Sequence, residues 1–261
     1  MSTNPTNKDP TDRCYGALFI GPPGSGKSSC VLALKEMCQK LKRNVITINL
    51  DPANIYVNFD PNFDVSSVVS VTDTMKEQQL GPNGALMFCM DSIAESTVQI
   101  TEALKPLIKK ATYFLIDCPG QVELYTHSDC MRKFVDVFQK ELDAKLATVN
   151  LVDVTLASTK DGFLGQSLMA LGMMLRMYTP HINILSKFDL TAEMNLPYDP
   201  IDLDFDDFIE TDVPNKLHTA ILDVLNGFDL VSYTPFSVDD ETCVMQLIEL
   251  IDKAVGCTWM L

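Results

Sequence analysis

The sequence predicts an α/β fold with a mostly parallel central sheet and helices on both faces of that sheet. Two observations lead to this prediction. Apolar, β-branched runs alternate with longer helical runs along the chain, and a glycine-rich loop separates the first strand from the first helix. Parallel strands need crossover connections, which the intervening helices supply. We predict a single domain over residues 14–261, a length that one large α/β domain accommodates.

The predicted strands are short apolar runs that stop at Gly, Pro or polar residues. They cover residues 15–20, 44–50, 111–116, 146–152, 180–185 and 230–235. The predicted helices cover residues 30–37, 85–110, 130–145, 160–178, 213–226 and 240–255. Residues 58–64 are turn-like, and the Gly-Pro-Asn-Gly sequence within residues 80–84 also predicts a turn.

The loop after the first predicted strand matches a phosphate-binding pattern. Residues 21–28 read Gly-Pro-Pro-Gly-Ser-Gly-Lys-Ser, which fits the G-x-x-x-x-G-K-[ST] loop of nucleoside triphosphatases. Glycines let backbone N–H groups turn inward around a polyphosphate, and the following helix adds positive partial charge. We expect Lys27 to reach the β- and γ-phosphates and Ser28 to bind Mg²⁺. The expected phosphate-binding residues are Gly24, Ser25, Gly26, Lys27, Ser28 and Ser29.

The composition narrows the possible partners. A formal net charge of −15 argues against direct binding of nucleic acid or of an anionic membrane surface. No apolar stretch approaches the length of a membrane span. The 8 cysteines form no C-x-x-C pair, and several lie in apolar runs, which indicates reduced thiols in the cytosol, with the nucleus as the alternative. Residues 1–13 are polar and are predicted to form a disordered tail.

Polar residues follow the second and third predicted strands, at the edge where open parallel sheets bind ligands. Each alone is as readily a turn or cap residue, but together they suggest a site. Asp117 is a candidate for holding Mg²⁺ through water, and the Gly120 N–H for meeting the γ-phosphate. Gln121 is a candidate for orienting the attacking water. Asp51 either accepts a hydrogen bond from that water or contacts the metal, and the sequence does not separate these roles.

A guanine-recognition pattern follows the fifth predicted strand. Residues 186–189 read Ser-Lys-Phe-Asp, which fits [NTS]-K-x-D. The Asp189 carboxylate can accept hydrogen bonds from N1–H and the 2-amino group of guanine, and the Lys187 stem can lie along the base plane. Ser186 belongs to the same pattern, and Ser237 after the last strand is a further candidate for contacting the base. The expected cofactors are therefore GTP or GDP with Mg²⁺.

Three longer segments closely resemble the GPN-loop GTPases. They are LGPNG at residues 80–84, NLDPAN at 49–54 and DCPGQVELYTH at 117–127. The resemblance covers about residues 15–255, and residues 180–187 look most like the second of the three eukaryotic paralogues. It implies a P-loop NTPase fold of the signal-recognition and MinD-like class.

The resemblance also implies a dimeric GTPase in which the Gly-Pro-Asn loop of one subunit enters the partner's active site. Asn83 would then act as a catalytic residue together with Asp51 and Gln121. Both a homodimer and a heterodimer with a paralogue remain open. The family is linked to assembly and nuclear import of RNA polymerase II, so subunits or assembly factors of that enzyme are expected partners. The expected location is the cytoplasm, with shuttling to the nucleus.

Two other functions are compatible with the same phosphate-binding loop. The chain could be a scaffold that GTP locks into one conformation, with negligible turnover. It could also be a small-molecule or polynucleotide kinase, although the acidic composition and the lack of an Arg-rich lid segment count against this.

Overall fold

The computed structural model describes residues 13–54, 57–194, 196, 216–228 and 230–257. Within these residues, strands β1–β7 form one sheet in the order β3-β2-β4-β1-β5-β6-β7, and every pairing is parallel. The strands are β1 (Cys14–Ile20), β2 (Asn44–Asn49), β3 (Phe63–Asp64), β4 (Thr112–Asp117), β5 (Ala144–Asp153), β6 (His181–Ser186) and β7 (Tyr233–Pro235). The predicted α/β class is confirmed.

Helices connect the strands and cover both faces of the sheet. They are α1 (Lys27–Lys40), α2 (Val71–Gln78), α3 (Pro82–Glu95), α4 (Thr97–Leu104), α5 (Glu123–Thr126), α6 (Cys130–Leu142), α7 (Lys160–Met177), α8 (Lys216–Phe228) and α9 (Glu241–Val255). None of the helices in the described part of the chain has the length and apolarity needed to cross a membrane.

The central strand β1 is buried on both sides because helices cover both faces of the sheet. Its alternate side chains point to opposite faces and enter different hydrophobic clusters. Leu18 packs in a hydrophobic cluster with residues of α3, α4 and α6, such as Phe134. Phe19 packs in a second cluster with residues of α1 and α9, such as Ile248. A third cluster joins β5 and β6 to α7 and α8. The continuous apolar sequence of β1 therefore reflects two hydrophobic layers.

The strand pairing also shows what the sequence prediction missed. β3 lies in the segment that was predicted to be turn-like, and its two residues pair with Ile48 and Asn49 of β2. Asn62 supports this pairing, because its side-chain oxygen accepts a hydrogen bond from the Thr47 N–H at 2.9 Å. So short a strand has no sequence periodicity of its own, and the contact with β2 defines it.

The helical prediction missed the four-residue helix α5 and was wrong in three further places. The structure adds α2 in a segment of weak periodicity. Residues 85–110 do not form one helix, because α3 ends at Glu95 and α4 begins at Thr97, with Ser96 between them. The predicted turn at residues 80–84 is instead the start of α3, with Gly81 as its N-cap residue and Pro82 in its first turn, where a missing N–H costs nothing.

Some predictions fall on residues outside the described part of the chain. They are the start of the predicted 213–226 helix, which is described from Lys216 onward, and the predicted disordered tail up to residue 12. Arg13, the last residue of that tail, forms an ion pair with Asp143 at 3.6 Å.

The sheet order brings the polar ends of several strands together. β1 lies between β4 and β5, so the loop after β1 lies beside the loop after β4. Backbone hydrogen bonds fix these ends to each other: Cys118 N donates to Phe19 O at 3.2 Å, and Leu50 N donates to Asp117 O at 2.8 Å. The ends of β1, β2 and β4 therefore form one rigid edge.

A buried ion pair fastens the last helix to the sheet. Arg43, just before β2, donates two hydrogen bonds to Asp252 of α9, at 2.9 Å and 2.6 Å. The two side chains are 6% and 0% exposed. The Arg43 guanidinium also lies over the ring of Tyr113, 5.3 Å from its centroid. Removing one partner would leave a buried charge without its counter-charge.

We predict that Asp252→Ala lowers the free energy of unfolding by about 3–5 kcal/mol, since Arg43 would keep its buried charge. Urea denaturation measures this loss. Lys40→Ala is the matched control, because the Lys40–Glu241 pair joins α1 to α9 on the surface, with side chains 60% and 75% exposed. The control should leave the midpoint nearly unchanged. Equal effects of the two substitutions would contradict the structural role given to the buried pair.

Candidate active site

Glycines shape the loop between β1 and α1. Gly21, Gly24 and Gly26 have φ values of 138°, 78° and 90°, which residues with a side chain rarely adopt. At Gly21 the space is also closed, because a Cβ atom there would lie 2.4 Å from the Leu151 carbonyl oxygen. Gly26 immediately precedes α1, so the loop ends at a helix N-terminus. This is the backbone arrangement that binds phosphate.

Lys27 is held at the mouth of this loop. Its Nζ atom donates hydrogen bonds to the carbonyl oxygens of Gly21 and Pro22, both at 3.0 Å. Burial lowers the pKa of Lys27, and the nearby carboxylates of Asp117 and Asp51 oppose that shift. The ammonium group is therefore largely removed from water, with neutral carbonyls as its direct partners. An anion bound in the loop would supply a full counter-charge.

Asp117, at the end of β4, has one carboxylate oxygen in use and one without a partner. Ser28 Oγ donates to Asp117 Oδ2 at 2.6 Å. Asp117 Oδ1 is buried and has no hydrogen-bond partner among the described residues. Burial raises the pKa of Asp117 from 3.8 to about 6, although the Ser28 hydroxyl and the Lys27 ammonium favour the charged form. A buried carboxylate oxygen of this kind calls for a cation or a donor.

The residues around that oxygen fit Mg²⁺. Asp117 and Ser28 offer adjacent hard oxygen atoms beside a phosphate-binding loop, and Mg²⁺ is usually held by one or two such groups plus phosphates and waters. Asp51 adds a second carboxylate to the same cavity. Its Oδ1 atom accepts a hydrogen bond from Ala53 N at 2.9 Å, and burial raises its pKa.

One cavity of about 500 Å³ brings together most of the predicted phosphate, metal and catalytic residues. Its described lining is Pro23, Gly24, Gly26, Lys27, Ser28, Ser29, Asp51, Ala53, Asn54, Leu86, Asp117, Cys118, Gly120 and Gln121. The Gly120 backbone lies close to the Lys27 ammonium group, since a Cβ atom at Gly120 would lie 3.2 Å from Lys27 Nζ. The geometry is compatible with the predicted roles of these residues, which stay predictions.

A second cavity of about 190 Å³ lies beside the first. Its described lining is Ser25, Gly26, Ser29, Leu151, Ser186, Lys187, Asp189, Phe236, Val238 and Asp239. Ser237 is outside this lining but contacts one of its residues, because its Oγ atom donates a hydrogen bond to Asp189 Oδ1 at 3.0 Å. Gly26 and Ser29 line both cavities, so the two spaces are neighbours along the first turn of α1. Together they suit a ligand with a polyphosphate at one end and a base at the other.

Asn83 lies apart from these cavities. It is exposed in the first turn of α3 and is absent from the described lining of both spaces. The same helix reaches the larger cavity through Leu86, three residues further on. Within one chain, the Gly-Pro-Asn segment is therefore exposed to solvent, at the start of a helix that lines the larger cavity further along.

Sequence reasoning missed Asp153, the last residue of β5. Its Oδ2 atom accepts a hydrogen bond from Lys187 Nζ at 2.5 Å, next to the smaller cavity. The available signal was its position directly at a strand end, which also marked Asp51 and Asp117.

Comparisons with known proteins identify the family of this chain. A family model described as "Conserved hypothetical ATP binding protein" matches residues 19–257. "GPN-loop GTPase 2 homolog" from Dictyostelium discoideum is 36% identical over 256 residues, which are 93% of this chain and 80% of that relative. The chain belongs to the GPN-loop GTPase family. The family predicted from the sequence is confirmed.

The chain is also similar to a yeast member of this family and to a solved structure. "GPN-loop GTPase 2" from Saccharomyces cerevisiae is 34% identical over 258 residues, covering 93% of this chain and 74% of the yeast protein. A crystal structure of a Pyrococcus abyssi GTPase in its apo form has a TM-score of 0.74 and covers 95% of this chain and 99% of that chain. At 20% identity, the archaeal structure supports the fold.

Replacing Asp117 with Asn removes the buried charge and keeps the side-chain shape. Because burial raises the folded-state pKa to about 6, the ionised carboxylate costs the metal-free protein stability above pH 6, and this cost disappears as pH falls toward 4. We predict that Asp117→Asn raises the free energy of unfolding in EDTA by about 1–3 kcal/mol at pH 7.5 and changes it little at pH 4. Urea denaturation at both pH values measures this. No gain at pH 7.5 would contradict the proposed cost of the buried charge.

Proposed function

We propose that this chain binds GTP with Mg²⁺ and hydrolyses it to GDP and phosphate. The observation that carries the proposal is the buried Oδ1 atom of Asp117, which has no partner in the described part of the chain and lies beside Ser28 and Lys27 in the glycine-loop cavity. A cation at that oxygen and a polyphosphate in the loop would satisfy both the carboxylate and the ammonium. The relatives named as GPN-loop GTPases support the same reaction.

The residues of the larger cavity can stabilise the charge that develops in phosphoryl transfer. Lys27 and the backbone N–H groups of the loop would hold the β- and γ-phosphates, and the Gly120 N–H would meet the γ-phosphate. Mg²⁺, held by Ser28 and Asp117, would neutralise charge on the phosphate oxygens when bound. Gln121 and Asp51 lie in the same cavity, where they can orient a water molecule for in-line attack.

Gln121→Ala tests the orientation of this water. The substitution leaves the loop, Lys27 and the metal-binding oxygens intact, so GTP affinity should change little. Loss of the orienting amide should slow hydrolysis by about a hundredfold, because poor alignment of the reacting groups is costly. Single-turnover phosphate release and equilibrium binding separate the two effects. Normal turnover by Gln121→Ala would remove this residue from the mechanism.

The smaller cavity supports guanine as the base. Asp189 is exposed, lines the smaller cavity and accepts a hydrogen bond from Ser237 Oγ, which orients its carboxylate. Its carboxylate can accept from N1–H and the 2-amino group of guanine, whereas adenine offers no such pair of donors.

Asp189→Asn should change the base preference from guanine to xanthine. Xanthine carries a carbonyl oxygen where guanine has its 2-amino group, and the Asn amide can donate to that oxygen. Losing the paired contact should weaken GTP binding by roughly ten- to hundredfold while XTP binding improves. Competition between the nucleotides for a fluorescent analogue measures both changes. Unchanged GTP affinity in Asp189→Asn would place the base elsewhere.

We further propose that the active site is completed in a dimer, either of two copies or with a paralogue. The Gly-Pro-Asn segment is exposed at the start of α3, a helix that lines the larger cavity through Leu86, and large apolar side chains are exposed on α3 and before it in the chain. Val68, Leu80 and Phe88 are 59%, 37% and 43% exposed. An Asn83 amide offers a donor and an acceptor to a neighbouring γ-phosphate without adding negative charge.

Asn83→Ala tests whether a second subunit contributes to catalysis. In the proposed dimer, specific GTPase activity rises with protein concentration and falls at least tenfold in Asn83→Ala, since the amide would act only in the transition state. Phosphate release across a wide concentration range gives this result for each protein. Activity that depends on neither concentration nor Asn83 would mean that each subunit acts alone.

The cellular role that we propose is an assembly and nuclear import factor for RNA polymerase II. The chain would act mainly in the cytoplasm and pass into the nucleus. The family resemblance supports this role, and the net charge of −15 favours protein partners over nucleic acid. Depleting the protein should leave polymerase subunits in the cytoplasm, and normal nuclear levels after depletion would contradict the role.

A further inference from the structure

A charged contact joins the ends of β5 and β6 beside the smaller cavity. β5 and β6 run in parallel, and Asp153 at the end of β5 pairs in register with Ser186 at the end of β6. This register places the Asp153 carboxylate beside the next residue, Lys187, whose Nζ atom donates to Oδ2 at 2.5 Å. The Asp153 side chain is 8% exposed and that of Lys187 is 39% exposed. The contact thus joins a buried anion to a lysine that still reaches the ligand space.

The second oxygen of Asp153 is also occupied. Asp153 Oδ1 accepts hydrogen bonds from Thr155 N at 2.8 Å and from Thr155 Oγ1 at 2.6 Å. Burial disfavours the charge on Asp153, but the hydrogen bonds from Lys187 and Thr155 outweigh it, so the pKa of this carboxyl lies below its ordinary value. Both carboxylate oxygens are therefore fixed, and the side chain can hold the lysine in one direction.

The backbone at Lys187 needs such support. Lys187 has a φ of 57° and a ψ of 37°, the left-handed region that residues other than glycine rarely adopt. Two backbone hydrogen bonds hold this segment against Phe236, the residue that follows β7: Phe236 N donates to Leu185 O at 2.9 Å, and Phe188 N donates to Phe236 O at 3.1 Å. The strained backbone is thus fixed on one side by Phe236 and on the other by Asp153.

We propose that Asp153 is a positioning residue for base recognition, which acts through Lys187. The lysine side chain has a flexible four-carbon stem, and its orientation is costly to fix when a ligand binds. The contact with Asp153 fixes the ammonium end in advance, which leaves the stem across the cavity where the plane of a purine base would lie. This inference rests on the proposed binding of guanine nucleotide.

A purely structural role for the pair predicts different behaviour. If the Asp153–Lys187 contact only ties β5 to β6, its loss should lower stability and weaken every ligand of the site equally. A positioning role affects only the ligand that carries a base. Pyrophosphate with Mg²⁺ occupies the phosphate loop without a base, so it serves as the matched ligand for GDP.

The test compares wild type with Asp153→Asn, which keeps the shape and the acceptor for Thr155 but loses the charge. Binding of GDP and of pyrophosphate, each with Mg²⁺, is measured by calorimetry. We expect GDP affinity to fall tenfold or more, since a charge-assisted hydrogen bond is lost, and pyrophosphate affinity to stay within about twofold. Asp129→Asn is the control variant, because it breaks an ion pair with Arg176 on the surface, outside both cavities.

A double substitution shows whether Asp153 acts through the lysine. Lys187→Met keeps most of the apolar stem and removes the ammonium group. If the proposal holds, Asp153→Asn adds no further loss of GDP affinity in the Lys187→Met background. Independent, additive losses would overturn it. Thr155→Val provides a milder variant if Asp153→Asn does not fold, and it should lower GDP affinity less while also sparing pyrophosphate.

The remaining outcomes separate this inference from the proposed function. If wild type binds no guanine nucleotide, both fail. If wild type binds GDP and Asp153→Asn binds it equally well, the inference fails and the proposed function stands. An equal loss of GDP and pyrophosphate affinity would assign the pair a structural role and also overturn the inference.

Discussion

The buried carboxylate of Asp117 is the constraint on which the rest of the site depends. It lies at the end of β4, a strand that is covered on both faces, so its charge is poorly solvated. Ser28 satisfies one oxygen and leaves the other without a described partner. The sheet order places Lys27 and the glycine loop beside it. A cation and a polyphosphate together would remove the cost of burying both the carboxylate and the ammonium group.

The fold accounts for this arrangement through strand order rather than through any single contact. β1 carries the glycine loop, and its neighbours β4 and β5 end in Asp117 and Asp153. Asp117 lines the larger cavity, next to the glycine loop, whereas Asp153 holds Lys187, which lines the smaller cavity. The strand on one side of β1 therefore ends in a carboxylate that lines the larger cavity, and the strand on the other side ends in a carboxylate that bonds to a lysine of the smaller cavity.

The sequence predicted that polar residues at the ends of strands lie close together, and the structure brings them to one cavity. Asp51, Asp117 and Gln121 could be placed together because parallel strands finish at one edge of a sheet. The role of Asp153 could not be predicted, since its contact with Lys187 follows from the register of β5 against β6. A similar limit applies to β3, a two-residue strand defined by its partner β2. The local sequence of a strand does not determine which other strand pairs with it.

The Gly-Pro-Asn-Gly sequence shows a second limit of structure prediction from local sequence. Gly, Pro and Asn favour tight turns, but Pro also favours the first turn of a helix, and both interpretations fit the same residues. The structure selects the helix start, because Ala85 and Leu86 are buried and anchor α3. Asn83, which precedes them by less than one helical turn, remains exposed. The segment therefore has a rigid base and an exposed tip, as a residue offered to a second subunit requires.

The central claim is that the cavity around Lys27 and Asp117 hydrolyses GTP. The most direct test is phosphate release from GTP by the purified protein, with and without Mg²⁺, against Lys27→Ala purified in the same way. The account predicts release by wild type that needs Mg²⁺ and is absent in Lys27→Ala, since the loop would lose its only charged contact to the phosphates. Equal release by both proteins, or binding of GTP by wild type without release at any protein concentration, would contradict it.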